Sequence, residues 1–261
     1  MSGFQKRIEG GRDQTPFVHE VAAVCVLAGK ILLQNGAETF RVEDTMNRIA
    51  RNFSVYDAQS FVTPTGIIFS IENTDITKLV RINERGTNLR KVTQVNSLSR
   101  QVAAGTVGIK EAYQQLKMIN QSRECYAPWL QIVAAASASS CFLIMFLGQW
   151  PDILPAFVAG GVGQAGTMYF HRLTKVKFFS EFISSIVVGL IAVLAVKTGW
   201  GLDLNKIIIG AVMPLVPGVP ITNAVRDLMA GDLVSGLSKF AESVLTAFAI
   251  GIGISFALAI G

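Results

Sequence analysis

Residues 207–227, IIIGAVMPLVPGVPITNAVRD, decide how the chain folds, because three closely spaced prolines separate an apolar run from a polar one. Pro214, Pro217 and Pro220 each lack a backbone N–H and clash with the preceding helical turn, so a regular helix cannot continue through them. Irregular backbone is tolerated at membrane depth where protein or a water-filled cavity surrounds it. The stretch therefore predicts a broken membrane-spanning helix.

Polar residues follow this break at once. Transporters use such interruptions to bind substrates or ions, so the functional interpretation is a binding site at or below the break. The structural alternative is a kinked helix whose polar tail is a cytoplasmic loop. The predicted substrate or transport residues are Pro217, Gly218, Pro220, Asn223, Arg226, Asp227 and Asp232.

Apolar segments around this stretch place the second half of the chain in a membrane. Of the 261 residues, 51% are hydrophobic and 16% are charged. Residues 1–125 contain 28 charged side chains, whereas residues 126–261 contain 13. A bilayer core of about 30 Å needs roughly 20 apolar residues in a helix, and the second half supplies five such segments. The predicted spans are at about 129–148, 153–170, 178–196, 207–225 and 241–260.

The predicted fold is an α-helical membrane protein, in which a small cytoplasmic α+β domain (residues 1–124) precedes a five-span transmembrane bundle (residues 125–261). Lys and Arg concentrate on one side of the bundle, and the positive-inside rule places that side in the cytoplasm. The N-terminus is then cytoplasmic, and the C-terminus is periplasmic or extracellular. The basic residues on the inner side are Lys117, Arg123, Arg172, Lys175, Lys177, Arg226 and Lys239, against Lys197 and Lys206 on the outer side.

Small residues at four-residue spacing mark the packing faces of membrane helices. The last span carries two such ladders, which begin at Ala247 and Ala249, and we expect a further membrane partner beside the bundle. Glu181 and Glu242 near span ends are possible proton carriers, and Glu242 is the better candidate because it lies one turn into the last span. Snorkelling or loop exposure is the simpler interpretation for both carboxylates and for Lys239.

Hydrophobic periodicity in the first half predicts helices and short strands. Around the start of the second helix, Glu38, Arg41, Glu43 and Asp44 lie close together. They are either a solvated ion-pair face or a place where Arg41 meets an anionic substrate or the membrane domain. The predicted helices are residues 17–34, a helix that begins near 37–39, residues 89–104 and residues 109–119, and the predicted strands are residues 60–63, 67–71 and 78–82.

Signals for catalysis or for nucleic acid are weak throughout the chain. The sequence has no P-loop, HExxH or GxSxG motif, so we predict no catalytic residue, cofactor or metal site. The net charge of +5 comes from basic residues interleaved with acidic ones, which argues against nucleic-acid binding. Cys25, Cys125 and Cys141 are far apart, and we predict that they are small buried residues rather than a disulfide or metal set.

Three runs of the sequence resemble the threonine/serine exporter family. They are NGAETFRVEDTMNRIA at residues 35–50, VTPTGIIFSIE at residues 62–72, and PGVPITNAVRDLMAGDLVSGLSKFAESVLTAFAIGIG at residues 217–253. Members of that family are one long chain or two polypeptides, and this chain is similar to the larger subunit of the split type. The matching motif positions are Glu38, Thr39, Arg41, Glu43, Asp44, Pro217, Gly218, Asn223, Arg226, Asp227, Gly231 and Asp232.

The resemblance implies secondary export across the bacterial inner membrane, driven by the proton motive force and shared with a small membrane subunit of four or five spans. We therefore predict a subunit that exports a small carboxylate-bearing metabolite, either threonine or serine or a succinate-like dicarboxylate. Arg226 would recognise the carboxylate, and Asp227 or Asp232 would orient it or carry a proton. The alternatives are a membrane-anchored hydrolase acting through residues 1–124 and a sensor or assembly protein that transports nothing.

Overall fold

The structure, a computed structural model, describes residues 11–122, 126–174 and 176–261, without the side chains of residues 11–15 and of Lys177. Arg123, Cys125 and Lys175, which enter the predictions above, lie outside the described residues. The helices are α1 (Gly11–Gln34), α2 (Thr39–Asn52), α3 (Leu89–Ala103), α4 (Ile109–Gln121), α5 (Pro128–Met145), α6 (Ile153–Thr174), α7 (Lys177–Lys197), α8 (Leu204–Val212), α9 (Gly218–Ala230) and α10 (Leu233–Ile260). Strands β1 (Ala58–Thr63), β2 (Gly66–Ile71) and β3 (Thr77–Arg81) lie between α2 and α3, and 3-10 helices cover Trp150–Asp152 and Met213–Leu215.

Contacts divide the chain into two units. The first unit is Met1–Glu124 with Val219–Phe240, and the second is Cys125–Gly218 with Ala241–Gly261. The predicted domains, residues 1–124 and 125–261, differ from these units in residues 219–240, which pack with the first half of the chain. Helix α10 therefore contributes its first two turns to the first unit and the rest to the second.

The first unit is built around α1, whose apolar residues are buried against α2, α3, α4 and the sheet. The strands are antiparallel in the order β1-β2-β3. Because side chains alternate across a strand, Ile67 and Phe69 point into the core, whereas Phe61, Ile68 and Leu79 form a row on the exposed face. The helices and strands predicted for residues 17–119 are all present, with ends shifted by a few residues.

Helices α5, α6, α7 and α8 pack together in the second unit through close backbone approach. A Cβ placed on Gly160 of α6 would lie 1.9 Å from Ser139 Oγ of α5, and one on Gly163 would lie 2.6 Å from Val188 Cγ2 of α7. Neither position has room for a side chain, so α6 approaches both neighbours through its glycines.

Helices α7 and α10 run parallel within the second unit. A Cβ on Gly253 would lie 2.6 Å from Phe182 O, and one on Gly189 would lie 2.6 Å from Ala257 Cβ, so residue numbers rise together along the two helices. One of the two predicted ladders on α10 is thus covered by α7. The other ladder is exposed, and a Cβ on Gly251 would meet nothing within 4 Å.

Four helices in the described part of the chain are long and apolar enough to cross a membrane, or five if the interrupted pair Leu204–Leu215 and Gly218–Ala230 is one span. Helix α6, which forms the predicted second span, is too weakly apolar to meet the same criterion. Helix α1 meets this criterion of length and apolarity, although half of its most apolar segment is buried inside the first unit. The four are Pro16–Gln34, Pro128–Met145, Phe178–Lys197 and Leu233–Ile260.

The predicted helix break is confirmed. Helix α8 ends at Val212, a single 3-10 turn follows, and the chain becomes helical again at Gly218. Pro217 lies between the two helices, and Pro220 lies in the first turn of α9. A proline is tolerated there because the first-turn N–H groups have no partner within the helix.

Candidate functional site

The candidate site lies in the first unit, around the N-terminus of α2. Helix α1 ends at Gln34, Gly36 turns the chain with φ of +87°, and α2 begins at Thr39. Glu38 is the N-cap residue, but its side chain makes no capping hydrogen bond to its own helix. The unpaired N–H groups of a first helical turn favour a negatively charged partner, which another helix supplies here.

Asp227 of α9 caps α2 from 188 positions away in the sequence. Its Oδ1 accepts a hydrogen bond from the Thr39 N–H at 2.9 Å, and its Oδ2 accepts one from the Thr39 hydroxyl at 3.0 Å. The Lys239 ammonium of α10 donates to Asp227 Oδ2 at 2.7 Å and to Thr39 Oγ1 at 2.9 Å. Asp227 is fully buried and the Lys239 side chain is 11% exposed. We call Thr39, Asp227 and Lys239 the capping network, in which a buried negative charge meets a nearly buried positive one.

Glu38 lies between two arginines, which together we call the arginine pair. Its Oε1 contacts Arg226 of α9, and its Oε2 contacts Arg41 in the first turn of α2. The Glu38 side chain is buried, whereas those of Arg226 and Arg41 are 56% and 61% exposed. A guanidinium has five N–H donors, and Glu38 engages one nitrogen of each arginine. The arginine pair can therefore accept a second carboxylate from solvent.

Two neutral hydrogen bonds fasten α9 and α10 to the same unit. The Asn223 side-chain amide of α9 donates to Gly36 O at 2.8 Å. The Ser235 hydroxyl of α10 donates to Val62 O of β1 at 3.2 Å and is buried. These bonds hold both helices against the turn before α2 and against the edge of the sheet.

Two further carboxyl groups lie near the capping network. Burial raises the pKa of Glu43 above its ordinary value, a hydrogen bond from the Val62 N–H lowers it, and the negative charges of Asp232 and Asp227 raise it further. Burial and then Asp227 also raise the pKa of Asp232, against the lowering effect of Lys239. Burial first, and then the neighbouring carboxylates, favour the protonated forms of Glu43 and Asp232.

The structure brings most of the predicted site residues together and leaves some apart. Asp44 pairs instead with Arg48 at 3.6 Å, and both of these side chains are well exposed. The predicted Glu181 and Glu242 belong to the second unit. Those brought together in the first unit are Glu38, Thr39, Arg41, Glu43, Asn223, Arg226, Asp227 and Asp232, whereas Pro217 and Gly218 belong to the second unit and Pro220 lies in the first turn of α9.

Sequence reasoning missed two members of this site. Lys239 was expected to snorkel or lie in a loop, and that prediction is wrong because its ammonium is bonded inside the capping network. Ser235 was not singled out at all. The available signal for Lys239 was its position twelve residues after Asp227, as the next basic group along the chain.

The arrangement favours recognition of an anion over other chemistry. Within the described ranges, no group of three or more His, Cys, Asp and Glu side chains is placed to hold a metal ion. The exposed donors belong to the two arginines, and guanidinium groups bind carboxylates through paired hydrogen bonds. Long apolar helices, one of them interrupted, and an anion-accepting site on the helix that follows the break are features of multi-pass membrane transport proteins.

Comparison with known proteins identifies the family. Residues 23–261 match the ThrE family, described as "Putative threonine/serine exporter". The match covers far more than half of the sequence, so the chain belongs to the threonine/serine exporter family. The resemblance read from the three sequence runs is therefore confirmed.

Curated relatives carry two kinds of name. "Probable succinate transporter subunit YjjP" of Escherichia coli K12 is 24% identical over 95% of this chain and 97% of its own length. A protein of the same name from Klebsiella aerogenes is 25% identical over 91% of this chain and 93% of its own. "Probable threonine/serine exporter" of Mycobacterium tuberculosis is 21% identical over 99% of this chain but 49% of its own length. No solved structure matches the chain. The hydrolase alternative finds no support among these relatives.

Proposed function

We propose that the chain is the larger subunit of a two-subunit exporter, which moves a small carboxylate-bearing metabolite out of the bacterial cytoplasm. The arginine pair carries this proposal, because two exposed guanidinium groups share one buried carboxylate and keep further donors accessible. Succinate, threonine and serine all present a carboxylate, and relatives are named for both kinds of substrate.

Each part of the site has a separate role in this proposal. Arg226 and Arg41 bind the substrate carboxylate, while Glu38 holds their side chains in place when no substrate is present. The capping network holds α9 against α2, so that Arg226 stays beside Glu38. The stretch at residues 217–220 before Arg226 is the flexible segment at which α9 can move, because its prolines prevent a continuous helix.

The proposed topology has five spans, a cytoplasmic N-terminus and a periplasmic or extracellular C-terminus. The glycine contacts support it, since α6 runs antiparallel to α5 and α7, and α7 runs parallel to α10. Adjacent spans alternate in direction, so the third and fifth spans must be parallel. The part of α10 in the second unit, residues 241–260, is about 30 Å long at 1.5 Å per residue, which is enough to cross the hydrocarbon core.

The proposed partner is a small membrane subunit with four or five spans. Relatives that match along nearly their whole length are named as subunits. The Mycobacterium tuberculosis relative is about twice as long as this chain, so its additional half is a candidate for the same function within one polypeptide. The exposed ladder of small residues on α10, which includes Gly251, offers that subunit a surface for close helix packing.

Transport by purified protein tests this proposal. The full chain would be reconstituted in sealed vesicles with and without a candidate small membrane subunit of four or five spans from the same organism. We expect efflux of radiolabelled succinate or threonine only when both subunits are present. Efflux of neither substrate, with both subunits shown to be inserted, would contradict the proposal.

Variants of the arginine pair test the site itself. Arg226→Ala should abolish efflux, and Arg226→Lys should restore little of it, because an ammonium cannot make the paired contacts of a guanidinium. We expect the lysine variant to raise KM more than it lowers kcat. Arg100→Ala, at an exposed arginine of α3, is the matched control and should transport like the wild type.

A further inference from the structure

The first part of the interrupted helix, α8 with its 3-10 turn, ends at the buried Leu215 inside the second unit. A Cβ placed on Gly163 of α6 would lie 3.8 Å from Leu215 Cδ1 and 2.6 Å from Val188 Cγ2, so Gly163 lies between the break and α7. Gly163 is ten residues beyond Ile153, the first residue of α6. At 1.5 Å per residue this is about 15 Å, or half of a hydrocarbon core of about 30 Å.

A polar face of α7 lies close to the depth of Gly163 in the bundle. Gly166 of α6 lies one turn beyond Gly163, and a Cβ there would be 3.1 Å from Ser184 Oγ. Ser184 is fully buried, and its hydroxyl makes no hydrogen bond within the described part of the chain. Glu181 precedes Ser184 by three residues and therefore lies on the same face of α7, with an exposed fraction of 6%.

Ser184 differs from the neighbouring hydroxyl groups of the same unit. Ser180, Ser185 and Thr167 each donate to a backbone carbonyl of their own helix at 2.8 to 3.1 Å. A helical serine that does not make this bond has its hydroxyl available to another group. The α6 residue that faces this hydroxyl is a glycine, and a Cβ at Gly166 would lie 3.1 Å from Ser184 Oγ, so no side chain of α6 covers the hydroxyl at that position.

We propose that Glu181 is the proton-carrying carboxyl group of the exporter and that Ser184, on the same face of α7, is a positioning residue whose hydroxyl bonds to it in one of its two protonation states. The inference rests on the proposed function, and it selects Glu181 over Glu242, which is only partly buried near the start of the second-unit part of α10. A carboxylate enclosed in a membrane bundle is costly when charged, so its protonation changes with its access to water. The Glu181 carboxylate gains a proton from water on one side, and its O–H bond breaks to release that proton on the other.

Separate measurements of coupled transport and of exchange test this inference. With both subunits in sealed vesicles, an imposed pH gradient should drive substrate accumulation by the wild-type protein. For each proton exchanged, a gradient of one pH unit should raise the ratio of substrate concentrations across the membrane by up to about tenfold. Glu181→Gln stays neutral, so it should lose stimulation by the gradient and keep exchange of labelled for unlabelled substrate. Glu111→Gln, at an exposed carboxylate of α4, is the matched control and should behave like the wild type. Ser184→Ala should keep exchange and shift the pH at which transport is half-maximal.

The outcomes separate this inference from the proposed function. Gradient stimulation that survives in Glu181→Gln, or that is lost in Glu242→Gln alone, would overturn the role of Glu181. A wild-type protein that moves no carboxylate substrate would instead contradict the proposed function.

Labelling of the wild-type protein tests the same residue without a variant. An apolar carbodiimide reacts with protonated carboxyl groups in an apolar setting, so Glu181 should be modified and its modification should fall as the pH rises. Mass spectrometry locates the adduct on the tryptic or chymotryptic peptide. Absence of a pH-dependent adduct at Glu181 would refute the inference even if Glu181→Gln did not fold.

Discussion

The two units bury their polar groups in opposite ways. In the first unit the buried network joins charges that are far apart in the sequence, as in the bonds of Asp227 to Thr39 and Lys239. In the second unit many buried hydroxyls bond within their own helix, as Ser139 does to Ala135 O, and the helices meet at glycines. The candidate site of the first unit therefore depends on charge pairing, whereas the helix contacts of the second unit depend on side-chain volume.

Removing the central charge should have the largest effect. Asp227→Ala leaves the Lys239 ammonium nearly buried without its anion and removes the cap from α2. Breaking a buried ion pair in this way costs about 3 to 5 kcal/mol. Hydrogen exchange of the full-length protein in detergent should show faster exchange of the backbone amides in α2 and α9.

A matched control distinguishes burial from charge alone. Asp44→Ala removes an exposed ion pair with Arg48, so it should change stability by at most about 1 kcal/mol. The tryptophans Trp129, Trp150 and Trp200 all belong to the second unit, and their fluorescence should not change in either variant. If the backbone amides of α2 exchange in Asp227→Ala at the rate of the wild type, the first unit does not depend on this buried charge pair.

Added volume should have the next largest effect, and it should act on the second unit. Gly160→Val places a side chain where Ser139 Oγ lies, and overpacking of this kind costs about 1 to 3 kcal/mol. Thermal unfolding followed by tryptophan fluorescence should show a lower midpoint. Gly251→Val is the matched control, because a Cβ at Gly251 meets nothing within 4 Å and the midpoint should not fall. Equal midpoints for both variants would show that these glycines do not set the packing.

Local periodicity and hydropathy were enough to predict the elements of both units. A helix in lipid must be about 20 residues long and apolar, and a buried helix shows apolar residues at intervals of three and four. The break was equally accessible, because Pro214 and Pro217 act on the turn that contains them. These features depend on neighbouring residues, so a single sequence reveals them.

The assembly of the candidate site depends on contacts that local patterns do not reveal. Arg226 and Asp227 were singled out, but nothing in the sequence showed that residues 219–240 pack beside α2. Glu38 was therefore predicted beside Arg41 but without its second partner, Arg226. Lys239 was misread for the same reason, since its anion is distant in space until α9 and α10 pack together.

A neutral hydrogen bond should matter less than the buried charge. Ser235→Ala removes the hydroxyl that donates to Val62 O and should cost about 1 kcal/mol. Ser238→Ala, whose exposed hydroxyl bonds within α10, is the matched control. Hydrogen exchange in β1 should be faster in the first variant and unchanged in the second. Equal exchange in both would mean that the buried bond to the sheet adds nothing to the first unit.

The smallest expected effect is the pH dependence contributed by Glu43. Its pKa is higher in the folded protein than the ordinary value of 4.5, so between these two values the folded state binds more protons than the unfolded state. The free energy of unfolding of the first unit should therefore fall as the pH rises from 4.5 through the folded pKa. Glu43→Gln can still accept the Val62 N–H but cannot ionise, so hydrogen exchange, corrected for its intrinsic pH dependence, should show a flatter profile. If the free energy of unfolding of Glu43→Gln changes with pH as steeply as that of the wild type, Glu43 is not the group responsible. Asp232→Asn would then test the other carboxyl group whose pKa is raised.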